Sequence, residues 1–123
     1  MIDIIYYAHC MTTYNTPQEQ EELALLKAHF DNGLIFNPNR DWIQFDTNPM
    51  KLCLELVADD IITGVAFGTV DGGYVGAGVY AEIRAAQKRY KPVYEIRSGN
   101  VLELHGELQL VKRDKAQHWA RVL

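Results

Sequence analysis

Short apolar runs rich in β-branched and aromatic residues alternate along this chain with stretches whose apolar residues recur at helical spacing. That alternation constrains the fold more than any other feature. Residues 3–8 read as a buried strand and 9–15 as a loop. Thr16-Pro17-Gln18-Glu19 has the form of a capping box with proline at the first helical position. Leu23, Leu26 and Phe30 then give one buried helical face. Asp31-Asn32-Gly33 stops this helix, with glycine expected to take the left-handed conformation. Leu34-Ile35-Phe36 is a second strand, ended by Asn37-Pro38. Residues 39–48 are loop-like and carry Trp42 and Phe45. Thr47 or Asn48 caps a second helix with Pro49 in its first turn and Met50, Cys53, Leu54 and Val57 as its inner stripe. Asp59-Asp60 leads into a third strand over 61–67. A glycine-rich turn, a third helix over 79–88 and a fourth strand over 92–96 follow.

The order βαβαβαβ predicts an α/β domain: a doubly wound parallel sheet, flavodoxin- or Rossmann-like, in three layers. Ligands of such sheets sit at the carboxyl ends of the strands, where the strand order reverses. Residues 1–97 form the expected core and 98–123 a short strand-rich extension. In it Ser98-Gly99-Asn100 is a turn, 101–104 and 108–111 are strand-like, and 118–122 is strand or helix.

A chain of 123 residues is expected to form one domain. It is small enough that added burial in a homo-oligomer, expected as a homodimer, would help it. A formal charge of −4 argues against a protein that coats a nucleic acid polymer. Two cysteines, Cys10 and Cys53, fit free thiols better than a disulfide framework. The amino terminus lacks the basic and apolar regions of a signal peptide, and no apolar run approaches the ~18 residues that span a bilayer. The expectation is a soluble cytoplasmic protein with no membrane partner.

The stretch from Gly72 to Glu82 carries the chemistry. Four glycines clear side chains from the place where the third strand hands over to a helix, and Glu82 stands in that helix's first turns. Backbone can approach a small molecule closely there, and the carboxylate can reach it. Tyr6, Tyr7, His9 and Cys10 end the first strand, Asn37 ends the second, and Asp71 follows the third. A sheet of the expected kind brings these ends together.

Ile5-Tyr6-Tyr7-Ala8-His9-Cys10-Met11-Thr12 resembles the opening strand and loop of the nucleoside 2-deoxyribosyltransferase-like superfamily, especially its small members of unknown function. Asn37-Pro38 after the second strand and Asp60 before the third also match, and Gly78-Val79-Tyr80-Ala81-Glu82 is similar to the motif around that family's nucleophile. The resemblance covers roughly the first ninety residues. It implies N-glycosidic bond cleavage or (deoxy)ribosyl transfer on a nucleoside or nucleotide. It places Glu82 as nucleophile, Tyr6 as the group that orients it, and Asp60, or Asp59, as the acid near sugar or base. A carboxylate can trap an oxocarbenium-like centre as an ester, and an acid must protonate the leaving base. Two departures stand out. His9-Cys10 replaces the small residues usual after the first strand, and Gly76 stands where transferases carry an aspartate six residues before the nucleophile. The second change favours hydrolysis over transfer, or loss of catalysis. The alternative to an enzyme is a binder that keeps the pocket, a nucleotide sensor or sequestering protein. A third reading is a small protein–protein adaptor.

Each residue also has a plainer reading. Glu82 at a helix start can be a solvated residue near a favourable dipole. Gly76 and Gly78 can serve close helix–sheet packing as well as a ligand. Asp59 and Asp60 can be a simple turn, and Tyr6 alone a core residue. Trp42 and Phe45 can stack on a base or cover a core edge, and Arg40 is a candidate phosphate contact. Lys112, Arg113 and Lys115 fit a solvated turn. His9 and Cys10 lack the paired spacing of a zinc site, so neither metal nor cofactor is expected. Cys53 lies on the apolar stripe and reads as core.

Overall fold

The computed structural model describes residues 2–41, 49–69, 74–105, 108–113 and 116–121. Strands β1 (Ile4–Ala8), β2 (Leu34–Phe36), β3 (Gly64–Phe67), β5 (Val93–Arg97) and β6 (Asn100–Glu103) form a five-stranded sheet in the order β2-β1-β3-β5-β6. The first four are parallel, and β6 returns antiparallel to β5. Helix α1 (Pro17–His29) joins β1 to β2, α2 (Pro49–Ala58) lies between β2 and β3, and α3 (Ala77–Lys88) between β3 and β5. The chain is therefore α/β, with a mixed sheet and, among the described residues, three α-helices. It lays β2 on one side of β1 and then returns to lay β3 on the other.

Alternation along β1 decides which helix meets which face. Ile5 and Tyr7 pack with Leu23 and Leu26 of α1 and with Phe30 just past its end. Tyr6 and Ala8 pack with Val57 of α2 and Val79, Ile83 and Ala86 of α3. The stripe expected on α1 is the buried one. On α2, Cys53 and Leu56 pack beside Val57, so Leu56 takes the place expected of Leu54.

Several boundaries move for identifiable reasons. Thr16 caps α1 by accepting the Glu19 N–H, but the Glu19 carboxylate takes the Asn15 N–H at 3.1 Å instead of closing the box on Thr16. Gly33 is not left-handed. A Cβ there would sit 2.8 Å from the Asp3 carbonyl oxygen, so its bareness serves the close approach of α1's exit to β1. The third strand starts at Gly64, three residues later than expected, because Asp59 Oδ1 accepts the Ile61 N–H and holds a turn there. Ser98 and Gly99 both have positive φ, 50° and 77°, which makes the tight hairpin turn between β5 and β6.

The glycine-rich stretch contains a strand, β4 (Tyr74–Gly76), that local pattern does not predict. It pairs antiparallel with β8 (Ala116–Arg121), which pairs in turn with β7 (Leu108–Arg113) to form a second, three-stranded sheet. The expected extension is thus divided: β6 completes the main sheet, and the β7–β8 hairpin clasps the entry to α3. Residues 118–121 are strand, and that edge of the tail is occupied by β4 of the same chain. The Thr47 and Asn48 caps, Trp42, Phe45, Asp71 and Lys115 lie outside the described residues. Among the described residues no helix is long and apolar enough to cross a membrane.

Candidate active site

Tyr6 and Tyr7 are neighbours on β1, so their rings leave opposite faces of the sheet. Each hydroxyl ends on a buried glutamate. Tyr6 donates to Oε2 of Glu82 on α3, and Tyr7 donates to Oε1 of Glu22 on α1. Both acids are buried because they share the apolar stripe of their helix. Glu82 falls with Val79, Ile83 and Ala86, and Glu22 with Glu19, Leu23 and Leu26. Glu82 is only 5% exposed. Burial pushes its carboxyl up to about 7, and the bond from Tyr6 pulls against that rise. Burial and the adjoining Glu82 drive the Tyr6 hydroxyl far above its ordinary value. Tyr6 therefore remains a donor throughout the physiological range.

This pair opens on a cavity of about 500 Å³ at the carboxyl ends of β1 and β2, beside the start of α3. Its wall combines Tyr6, His9, Cys10, Met11, Thr12, Tyr14, Pro38, Cys53, Gly76, Gly78, Val79 and Glu82. Phe36 stacks on Tyr6 with ring centroids 5.7 Å apart. Gly76 leaves room for the Cys10 thiol, since a Cβ there would lie 3.1 Å from Cys10 Sγ. Cys53 reaches the Tyr6 hydroxyl, and burial raises its thiol pKa. Tyr14 is half-buried, its hydroxyl pushed up to about 12 by burial and then by the charge of Glu82.

The other face carries a polar cluster. His9 stacks on Tyr7 at 3.8 Å, with rings 4° from parallel. Its Nε2 lies 2.7 Å from Glu19 Oε2, and its Nδ1 lies 3.1 Å from the Tyr7 carbonyl oxygen. Burial alone would raise the Glu19 carboxyl. Bonds from His9, Asn15 and Asn39 outweigh it and hold Glu19 below the ordinary carboxylate range. Glu22 goes the other way: burial raises its pKa despite the bonds from Tyr7 and Gln18. Its oxygens sit over Gly68, where a Cβ would come within 2.2 Å.

The structure thus brings together Tyr6, His9, Cys10, Gly76, Gly78 and Glu82, and adds Cys53, expected only as core. Asn37 and Arg40 line a neighbouring cavity instead, of about 340 Å³. Asp60 is displaced altogether. It is exposed in the turn before β3, at the amino end of a parallel sheet, so the length of β3 separates it from the carboxyl-end cavity. Its charge acts on Lys91, which also bonds the Val57 carbonyl at 2.7 Å at the end of α2. Trp42 and Asp71 are outside the described residues. Sequence reasoning passed over Tyr14 and Glu22, and read Glu19 only as part of a helix cap. The two glutamates had a signal: a carboxylate at i−4 and i−1 from Leu23, on the stripe that α1 buries. Among the described residues no group of three or more His, Cys, Asp or Glu side chains is placed to hold a metal ion.

No protein family matches this chain, and no curated protein or solved structure does.

Proposed function

We propose that the protein acts on the N-glycosidic bond of a nucleoside or nucleotide, with Glu82 as nucleophile, on a doubly wound, three-layer, Rossmann-like sheet. The observation that carries the reading is the Glu82–Tyr6 pair, buried yet facing a cavity at the point where the strand order reverses. In the proposed reaction a Glu82 oxygen bonds to the anomeric carbon as the carbon–nitrogen bond breaks. The base leaves with the bonding pair and takes a proton from the cavity wall, where Tyr14 carries one. Water then cleaves the glycosyl ester: its oxygen bonds to the anomeric carbon, its proton returns to the Tyr14 oxygen, and the sugar and the Glu82 carboxylate are released. Tyr6 holds one Glu82 oxygen and leaves the other for attack. Gly76 in place of an acid favours water as acceptor.

Base release from a panel of nucleosides and nucleotides, followed by chromatography, tests this. Glu82→Gln is expected to lower kcat roughly a thousandfold or more while ligand binding persists, because the nucleophile acts in the chemical step. One observation favours a second reading. A carboxyl pushed up to about 7 is partly protonated at neutral pH and can then donate to a ligand instead of attacking it. If the unaltered protein releases no base from any member of the panel yet binds one tightly in calorimetry, it is a nucleotide-binding sensor or sequestering protein.

A further inference from the structure

The smaller cavity lies beside the first, at the carboxyl end of β2, with the buried His9–Glu19 pair between them. Its hydrogen-bonding groups are unevenly used. The carboxylate in its wall, that of Glu19, is already occupied. Both Glu19 oxygens receive the Asn39 carboxamide, and they also take His9 Nε2 and the Asn15 N–H. Asn37 Oδ1 accepts the Asn39 N–H at 3.0 Å. Asp41, beside the wall, accepts from Arg40 Nε and Nη2 and from the Asn37 N–H.

The donors are not used up. Asn37 is 2% exposed, yet its carboxamide nitrogen donates to no group among the described residues. A buried amide left in that state is costly unless something else meets it. Arg40 is held side-on by Asp41, which leaves Nη1 without a partner among the described residues. Lys27, on the last turn of α1, forms no ion pair among the described residues. Lys27 and Arg40 line the same cavity, and the charge of Lys27 also helps to hold Asp41 below the ordinary carboxylate range. These three donors, two of them cationic, meet no open carboxylate among the described residues.

We propose that this cavity is a second binding site, for the anionic head of a small molecule, a phosphate monoester or a carboxylate, held by the Asn37 amide, Lys27 and Arg40. The proposal does not depend on glycosidic chemistry at Glu82.

The test is an NMR titration of the full chain with inorganic phosphate at constant ionic strength, with methyl phosphate and acetate in parallel arms. Saturable shifts confined to residues 37–41 and the end of α1 are expected, and whichever organic arm binds more tightly identifies the head group. Lys27→Ala, an exposed helix position, is expected to weaken binding about tenfold, as befits a charge-assisted contact. Asn37→Asp keeps the acceptor for Asn39 but turns the buried donor into a like charge, and should abolish binding. Glu82→Gln should leave it unchanged. Shifts no larger than those from chloride would overturn the site. So would phosphate affinity indifferent to Lys27→Ala, or shifts centred on the larger cavity.

Discussion

Replacing Glu82 by glutamine should stabilise the protein at neutral and alkaline pH and leave its stability in acid almost unchanged. Glu82 holds its proton in the folded chain up to about pH 7, against an ordinary value of 4.5, because burial disfavours its charge. Below the lower value both folded and unfolded chains carry the proton, and the group is neutral to the balance. Between the two, the unfolded chain has shed its proton and the folded chain keeps it, so rising pH favours unfolding. Above about 7 the folded chain ionises too, and the loss is complete. A unit of pKa is worth about 1.4 kcal/mol, so the whole interval amounts to about 3 kcal/mol. Glutamine has nearly the same shape, cannot ionise, and offers Tyr6 the same acceptor. The variant should therefore gain up to about 3 kcal/mol at pH values near 8, an increase in Tm on the order of 10 °C for a domain of this size. Near pH 4 it should gain little. Urea unfolding of both proteins across this range reads the difference. A gain independent of pH, or no gain near pH 8, would refute the placement of Glu82 as a buried, high-pKa carboxyl.

Two further outcomes bear on the site and the fold. Tyr6→Phe removes the hydrogen bond that draws the Glu82 pKa down, so the acidic limb of kcat/KM for base release should move to higher pH; an unmoved or lowered limb would separate Tyr6 from Glu82. Gly33→Ala puts a methyl 2.8 Å from the backbone oxygen of Asp3, just before β1, which cannot swing aside. It should cost about 1–3 kcal/mol in urea unfolding, and a cost near zero would contradict the close approach.

Helix and strand order was legible because burial on one side of a helix, or between layers, leaves a repeating pattern in the residues themselves. The stripe of α1, its Thr16 cap and the Leu34–Phe36 strand follow from residues within a turn or two of one another. Glu82 was legible only as a carboxylate following a glycine-cleared corner, a place that also suits a solvated residue; its burial on the apolar stripe of α3 came from the tertiary structure. Tertiary structure alone decided what each group meets. The pairing of β4 with β8 joins residues more than forty positions apart, and no local preference marks Tyr74–Gly76 as a strand. Asp60 is near Glu82 in sequence order but belongs to the opposite end of a parallel sheet, because every strand of a crossover unit runs the same way. Asn37 and Arg40 end the right strand yet face the second cavity, since the 37–41 turn is closed by Asp41 on the side of α1. The two tyrosines of β1 are adjacent in sequence and identical in chemistry. Only the layers on either side of the strand, α3 against one face and α1 against the other, send Tyr6 to a cavity and Tyr7 to a closed polar cluster.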